Sequence, residues 1–168
     1  MSESSSQQAL TGDDLATWSA FATVLEWLPP ALDAPLVHGF DLTHFEYGIL
    51  FALADASDNA LRMNVLASYA NSSLSRLSRA VSRLESRGWV RRIPDPTDGR
   101  STLASLTQAG LEVQRKATPA HTQTVTELVL GPLTLTQRAQ LREISLRIQR
   151  AIRGQEGWQP DRARTEHD

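Results

Sequence analysis

The sequence predicts a mainly α-helical fold with one short β-hairpin in its middle and helices at both ends. Three observations predict this. Apolar residues recur every three or four positions through most of the 168-residue chain, the period of a helix with one buried face. The stretches that do so open with capping signals and close near proline, asparagine or glycine. One segment departs from that period. "RRIPDPTDGRSTLASLT", Arg91 to Thr107, sets two prolines, two aspartates and a glycine ahead of a polar/apolar alternation, the pattern of two strands joined by a stiff turn.

Hydrophobic residues make up 40% of the chain, enough for one domain or two small lobes sharing a core. No run approaches the roughly 18–20 apolar residues that span a bilayer. "MSESSSQQ" at the start has neither the basic nor the apolar region of a secretory signal. Cysteine is absent, which removes disulfides, thiol catalysis, cysteine redox sensing and Cys-ligated zinc. The expectation is a cytoplasmic protein with no membrane partner and no cofactor. The net charge of -2 hides an asymmetry. Residues 1–60 carry nine acids and no Lys or Arg, residues 61–100 carry eight arginines against Glu85, Asp95 and Asp98, and residues 101–168 are close to balanced. A well-solvated arginine-rich helix would account for the middle segment. Local charge nevertheless sets the surface potential, and this one suits a polyanion.

Taken in order, residues 1–12 read as a flexible tail. "DDLATWSAFATVLEWL" places Leu15, Trp18, Ala22 and Leu25 on one helical stripe, with Phe21 and Leu28 beside it. Pro29 and Pro30 are expected to end or sharply kink that helix, and Pro35 argues against one smooth helix beyond them. Thr43 followed by Glu46 is a capping box for a helix ending near Asp55 to Asp58. In the next helix Met63, Leu66 and Ala67 face inward. "ANSS" breaks it, with Asn71 suited to a left-handed turn position and Ser72 or Ser73 to a cap. Leu74, Leu77, Val81 and Leu84 then form a core stripe, and Gly88 stands where a helix-ending glycine belongs.

Two helices joined by a four-residue turn are a helix-turn-helix candidate. The polar face sharpens it. Ser72, Ser73, Ser75, Arg76 and Arg79 lie at the start of the second helix, off the apolar stripe, and Arg83 and Arg87 continue that side. Hydroxyls and guanidiniums suit phosphates and base edges. The hairpin follows at once: strands from Trp89 to Ile93 and from Ser101, with "PDPTDG" at the tip. Its prolines limit backbone freedom, and Gly99 permits a positive φ. Asp98 is expected to salt-bridge an arginine at the loop base, and Arg100 to be presented at the edge. A stiff loop ending in arginine beside such a helix is the layout of a winged helix-turn-helix, whose arginine suits a narrow minor groove.

Thr107 can cap the next helix, in which Pro119 demands a bend or compensation. Thr134 and Gln137 form another capping box, ahead of a helix with Leu141, Ile144, Ile148 and Ala151 or Ile152 on one face. The chain from Gly154 reads as a second tail, in which Trp158 can dock. The terminal helices lie outside the recognition unit and carry apolar stripes. They can pack on each other, or pair across a two-fold axis that spaces two reading helices for a palindrome, and the second arrangement multiplies the contacts.

"SSLSRLSRAVSRLESRGWVRRIPDPTDGRSTLASLTQAG", Ser72 to Gly110, resembles the MarR family of bacterial transcription regulators: recognition helix, first wing strand, a D-x-R wing tip at Asp98, Gly99 and Arg100, and a returning strand ending in LT-x-x-G. The order of elements fits over about residues 12–153. The resemblance implies a winged helix-turn-helix over 43–106 and dimerisation segments over 13–42 and 107–153, with tails over 1–12 and 154–168. It implies a homodimer bound to double-stranded DNA at a pseudo-palindromic operator. Ser72, Ser73, Ser75, Arg76, Arg79 and Arg83 would meet the major groove and nearby phosphates, Arg100 would reach the minor groove, and Asp98 would organise the wing. It also implies a repressor that responds to a small aromatic or lipophilic effector in a crevice between the dimer and DNA-binding lobes.

Trp18, His38, His44 and Tyr47 are the candidate effector-binding residues. Trp18 and Trp27 also suit a core or dimer interface, and Tyr47 and Tyr69 share that ambiguity. A histidine near neutrality is a tunable partner for a carboxylate ligand. His38, Asp41, His44 and Glu46 have metal-ligand types but no metal spacing, and a turn and a cap explain the two acids. No G-x-S-x-G, H-E-x-x-H or phosphate loop is present, so the chain does not read as an enzyme. The alternative is a winged dimer acting mainly through a protein partner. Acidic residues on the reading helix would favour it, and Glu85, late in that helix, is the only one.

Overall fold

The structure, a computed structural model, describes residues 9–154. Most of the two expected tails, with Trp158, lies outside the described residues. Six α-helices and three short strands follow in the order α1 (Gly12–Phe40), α2 (His44–Asp55), β1 (Ala60–Arg62), α3 (Met63–Tyr69), α4 (Leu74–Ser86), β2 (Val90–Asp95), β3 (Asp98–Leu106), α5 (Gln108–Val125) and α6 (Leu135–Arg153). A π-helical turn, Thr126–Leu130, continues α5.

The local signals form as their chemistry dictates. Thr43 and Glu46 close a reciprocal capping box on α2, and Thr134 and Gln137 do the same on α6. Ser73 caps α4 and Thr107 caps α5. Asn71 adopts φ 48° in the α3–α4 turn. Gly88 takes φ 72° just past α4, where the Trp89 amide reaches the Leu84 carbonyl at 3.0 Å and turns the chain into β2.

The core lies where α2 meets α4, the sheet and α5. Leu36, Leu42, Ile49, Leu50, Leu53, Leu66, Leu77, Val81 and Leu84 are fully buried there. Three-residue β1 pairs antiparallel with β3, Ala60 opposite Ser105, so the sheet order is β1-β3-β2.

Four expectations are corrected and one, the second below, is met. First, α1 runs unbroken through Pro29, Pro30 and Pro35. Each proline removes one hydrogen bond to the carbonyl four residues back. Those carbonyls belong to Leu25, Glu26 and Ala31, all exposed or half-buried, so water can take up the loss. Packing of Leu32 and Leu36 holds the rest of the helix. Second, α5 passes through Pro119 with the compensation that proline demands, since Arg115, whose carbonyl loses its bond, is exposed. Third, Leu74 is not in the core: it is 45% exposed, and Ala80 takes its place on the buried face. Fourth, the hairpin is tighter than expected. Asp95 pairs with Asp98, leaving Pro96 and Thr97 as the tip, and Gly99 lies inside β3 without a positive φ. Fifth, Asp98 makes no arginine salt bridge. That role falls to Asp95.

Candidate nucleic-acid interface

The N-terminal half of α4 presents its polar side to solvent because Leu77, Ala80, Val81 and Leu84 turn the opposite side inward. The Ser73 hydroxyl accepts the Arg76 amide at 3.3 Å and lies 3.2 Å from the Ser75 hydroxyl. Ser72 is half-buried and donates to the Ser73 carbonyl at 3.2 Å. Arg76 and Arg79 are exposed, and the Arg76 guanidinium lies 4.4 Å over the Phe45 ring.

Arg83 is placed differently. Its Nε donates to Glu46 Oε1 at 2.7 Å, and Glu46 is buried. The other Glu46 oxygen accepts the Thr43 amide and hydroxyl, both at 3.0 Å. Burial pushes this carboxyl up, but the Thr43 amide, the Arg83 guanidinium and the Thr43 hydroxyl outweigh burial and hold it below its usual value. Glu46 therefore caps α2 and anchors α4 at once. Arg87 pairs with Asp41 at 2.6 Å.

The wing is braced from three sides. Arg62 of β1 meets Asp95 at 2.6 Å and the Thr97 hydroxyl at 3.2 Å. Asp95 accepts the Thr97 hydroxyl at 2.7 Å and its amide at 2.8 Å. These two bonds, with Arg62 after them, hold its carboxyl at about 2. Asp98 accepts the Ser101 hydroxyl at 2.7 Å and the Arg100 amide at 3.1 Å, which keep it below the usual carboxylate range. Arg92 ties β2 to α4: it pairs with Glu85 and donates to the Ser78 carbonyl at 2.8 Å and the Ser82 hydroxyl at 3.1 Å. Arg100 stands exposed beyond this framework. Among the described residues Arg76, Arg79, Arg91 and Arg100 form no ion pair. Of these, Arg76 and Arg79 on α4 and Arg100 on the wing carry the available positive charge of this face.

Behind it lies a cleft of about 680 Å³ whose walls include Asp33 of α1, His44 and Phe45 of α2, Tyr69 of α3, and Arg76 and Arg79 of α4. Of the four candidate effector residues only His44 lines it. Tyr47 is buried, stacked 4.4 Å from His121 and 3.1 Å from the Thr118 hydroxyl. Trp18 is exposed on α1 beside Phe21, and His38 is exposed near the end of α1. His44 and His121 stack at 5.2 Å, and His44 Nδ1 and His121 Nε2 are buried without a hydrogen-bond partner. Burial lowers both imidazoles. Asp33 opposes this at His44, and the neighbouring His44 adds to it at His121. Among the described residues no group of three or more His, Asp or Glu could hold a metal ion.

The whole arrangement superposes on Sco3205, a MarR family transcriptional regulator from Streptomyces coelicolor solved in complex with DNA. The TM-score is 0.86 at 36% identity, over 91% of this chain and 96% of that one. The chain belongs to the MarR family. It is likewise similar to AbsC, a MarR family transcriptional regulator from the same organism, with a TM-score of 0.84 and 32% identity over 89% of this chain and 100% of that one. The MarR family sequence profile matches residues 38–101, from the end of α1 into the wing. The uncharacterized HTH-type transcriptional regulator YdcH of Bacillus subtilis (strain 168) is 33% identical over 82 residues. That match spans 48% of this chain and 56% of YdcH. The MarR family comprises transcriptional regulators rather than enzymes. No helix among the described residues is long and apolar enough to cross a membrane.

Sequence reasoning missed two residues of the MarR-type wing. Arg62 lies in a strand too short to show a period, 33 positions from Asp95. Arg92 was legible only as an arginine ahead of the turn, although Glu85 seven residues earlier offered it a partner.

Proposed function

We propose that this MarR family protein is a homodimeric, sequence-specific DNA-binding repressor of a pseudo-palindromic operator, released by a small effector. The observation that carries this reading is the pairing of an exposed serine and arginine helix start with a braced wing that ends in an arginine free of ion pairs. Ser73, Ser75, Arg76 and Arg79 supply donors to base edges and phosphates, with Ser72 supporting the turn. Arg83 adds charge while holding α4 on α2. Arg100 enters the minor groove, and Asp98 shapes the loop that presents it. The likeness to a relative solved on DNA supports the same docking.

The homodimer is supported by apolar faces that the single chain leaves open. Leu15, Trp18, Phe21 and Leu25 of α1 and Ile144, Ile148 and Ile152 of α6 are exposed. Effector response is supported by the cleft. Arg76 and Arg79 belong both to its wall and to the reading face, so an anionic aromatic compound beside His44 and Phe45 would compete with DNA for the same guanidiniums.

Selection from a random duplex pool at near-physiological salt tests the proposal. The expected product is an inverted repeat with half-sites about one helical turn apart. Weak, sequence-blind binding would overturn it and leave a general DNA coater or a dimer acting through a protein partner. On the recovered operator, Arg100→Ala is expected to weaken binding most where the minor groove is narrow and A·T-rich. An equal loss on all duplexes would remove Arg100 from that role.

A further inference from the structure

Exposed large hydrophobic residues cluster on α1, on the π-helical turn and on α6. Between residues 60 and 106 only Tyr69 and Leu74 are among them, and Tyr69 lines the cleft behind α4. Leu74 occupies the first position of α4, directly after the capping Ser73. The other large apolar side chains of that helix, Leu77, Val81 and Leu84, are fully buried.

In a helix each Cα–Cβ bond tilts toward the N-terminus. A side chain at the first position therefore leans past the leading end of the helix instead of onto the core. Leu74 also borders a shallow cleft of about 410 Å³ whose other walls include Asn64, Ser78, Arg92, Arg100 and Thr102. An isobutyl group thus stands between the reading face of α4 and the wing, with polar and cationic groups around it.

Those neighbours decide the occupant. An apolar protein surface laid here would desolvate Arg100, the one guanidinium of this cleft with no ion pair, and leave it unpartnered. DNA takes the Arg100 guanidinium at its minor groove and offers one apolar group on its major-groove base edges, the thymine 5-methyl. The leading end of a recognition helix is the part that meets base edges. We infer that Leu74 is a specificity-determining residue that packs on a thymine 5-methyl group in each half-site. This rests on the DNA-reading function proposed above.

The test uses the full-length protein and the operator recovered from selection. Each half-site thymine is replaced in turn by deoxyuridine, which deletes the methyl alone. Wild type is expected to lose about fourfold in affinity at one position per half-site, the worth of one buried methyl-sized group. Leu74→Ala is expected to bind the thymine and uracil duplexes equally at that position and to keep wild-type sensitivity elsewhere. Leu74→Met, which retains an apolar reach, keeps the discrimination. Both variants should melt as wild type does, since Leu74 is outside the core. The inference is overturned if Leu74→Ala keeps every wild-type thymine-to-uracil ratio, or if it weakens binding on all duplexes together with its melting temperature. A wild type that selects no motif overturns the DNA-reading function itself, and this inference with it.

Discussion

At Gly110 a single hydrogen atom decides a junction. A Cβ there would lie 2.1 Å from the Trp89 carbonyl oxygen and 2.8 Å from Leu106 Cδ1. The same carbonyl already accepts the Thr107 amide at 3.0 Å and its hydroxyl at 3.1 Å. The LT-x-x-G spacing therefore has a mechanical origin. Leu106 ends β3, Thr107 caps α5, and Gly110 lets the first turn of α5 rest on the corner between α4 and β2. In a free helix Gly→Ala gains about 1 kcal/mol, whereas forcing a methyl against backbone costs about 1–3 kcal/mol and occasionally more. The obstructing atoms are main chain, so the clash wins. Gly110→Ala is expected to lower the melting temperature by several degrees. A rise would show that this corner yields. The motif itself was legible in the sequence. Its reason was not, because Trp89 lies far from Gly110 along the chain and the contact exists only once β2 and β3 pair.

At the scale of the element, the wing is a small machine for holding Arg100 outward. Its brace spans the sheet, since Arg62 reaches from β1 at one edge to the end of β2 at the other. Asp95 titrates at about 2 against an ordinary 3.8. A folded-state value depressed in this way contributes stability that is fully present above the ordinary value and is lost as pH falls toward 2. The Thr97 amide should therefore lose protection from exchange across that window, and Arg62→Ala should move the midpoint upward without returning it to normal, because the Thr97 bonds remain. A carboxyl-carbon NMR titration reads both, and an unmoved midpoint would leave Thr97 as the only brace. The sequence had assigned this part to Asp98. Both aspartates flank the same turn, and what separates them is β1, whose three residues carry no period to detect.

For the whole molecule, the decisive feature is what the chain leaves uncovered. The α1 face around Trp18 and Leu25 and the α6 face around Ile144 and Ile148 are exposed together, and among the described residues α6 packs extensively on no other element. Rows of large apolar side chains left open along two helices mark an interface. The chain of 18.5 kDa is expected to sediment at twice its mass. Ile144→Asp should shift it toward the monomer and weaken operator binding by far more than tenfold, since each half-site alone supplies few contacts. Undiminished mass for that variant would place the interface elsewhere.

The sequence by itself determined what depends on neighbours within a few residues. That includes the Thr43–Glu46 and Thr134–Gln137 capping boxes, the Ser73 and Thr107 caps, the left-handed Asn71 and the glycine after α4. It also includes the polar side of the recognition helix. These features arise from hydrogen bonds and φ preferences that a short window contains. Tertiary structure alone decided the rest. It carried α1 through three prolines, because burying Leu32 and Leu36 outweighs a few backbone bonds that water can replace. It joined Glu46 to Arg83 across 37 positions and Arg62 to Asp95 across 33. It gathered His44, Phe45 and Arg76 around one cleft. Such contacts are settled by packing and desolvation between distant segments, and no local pattern along the chain records them.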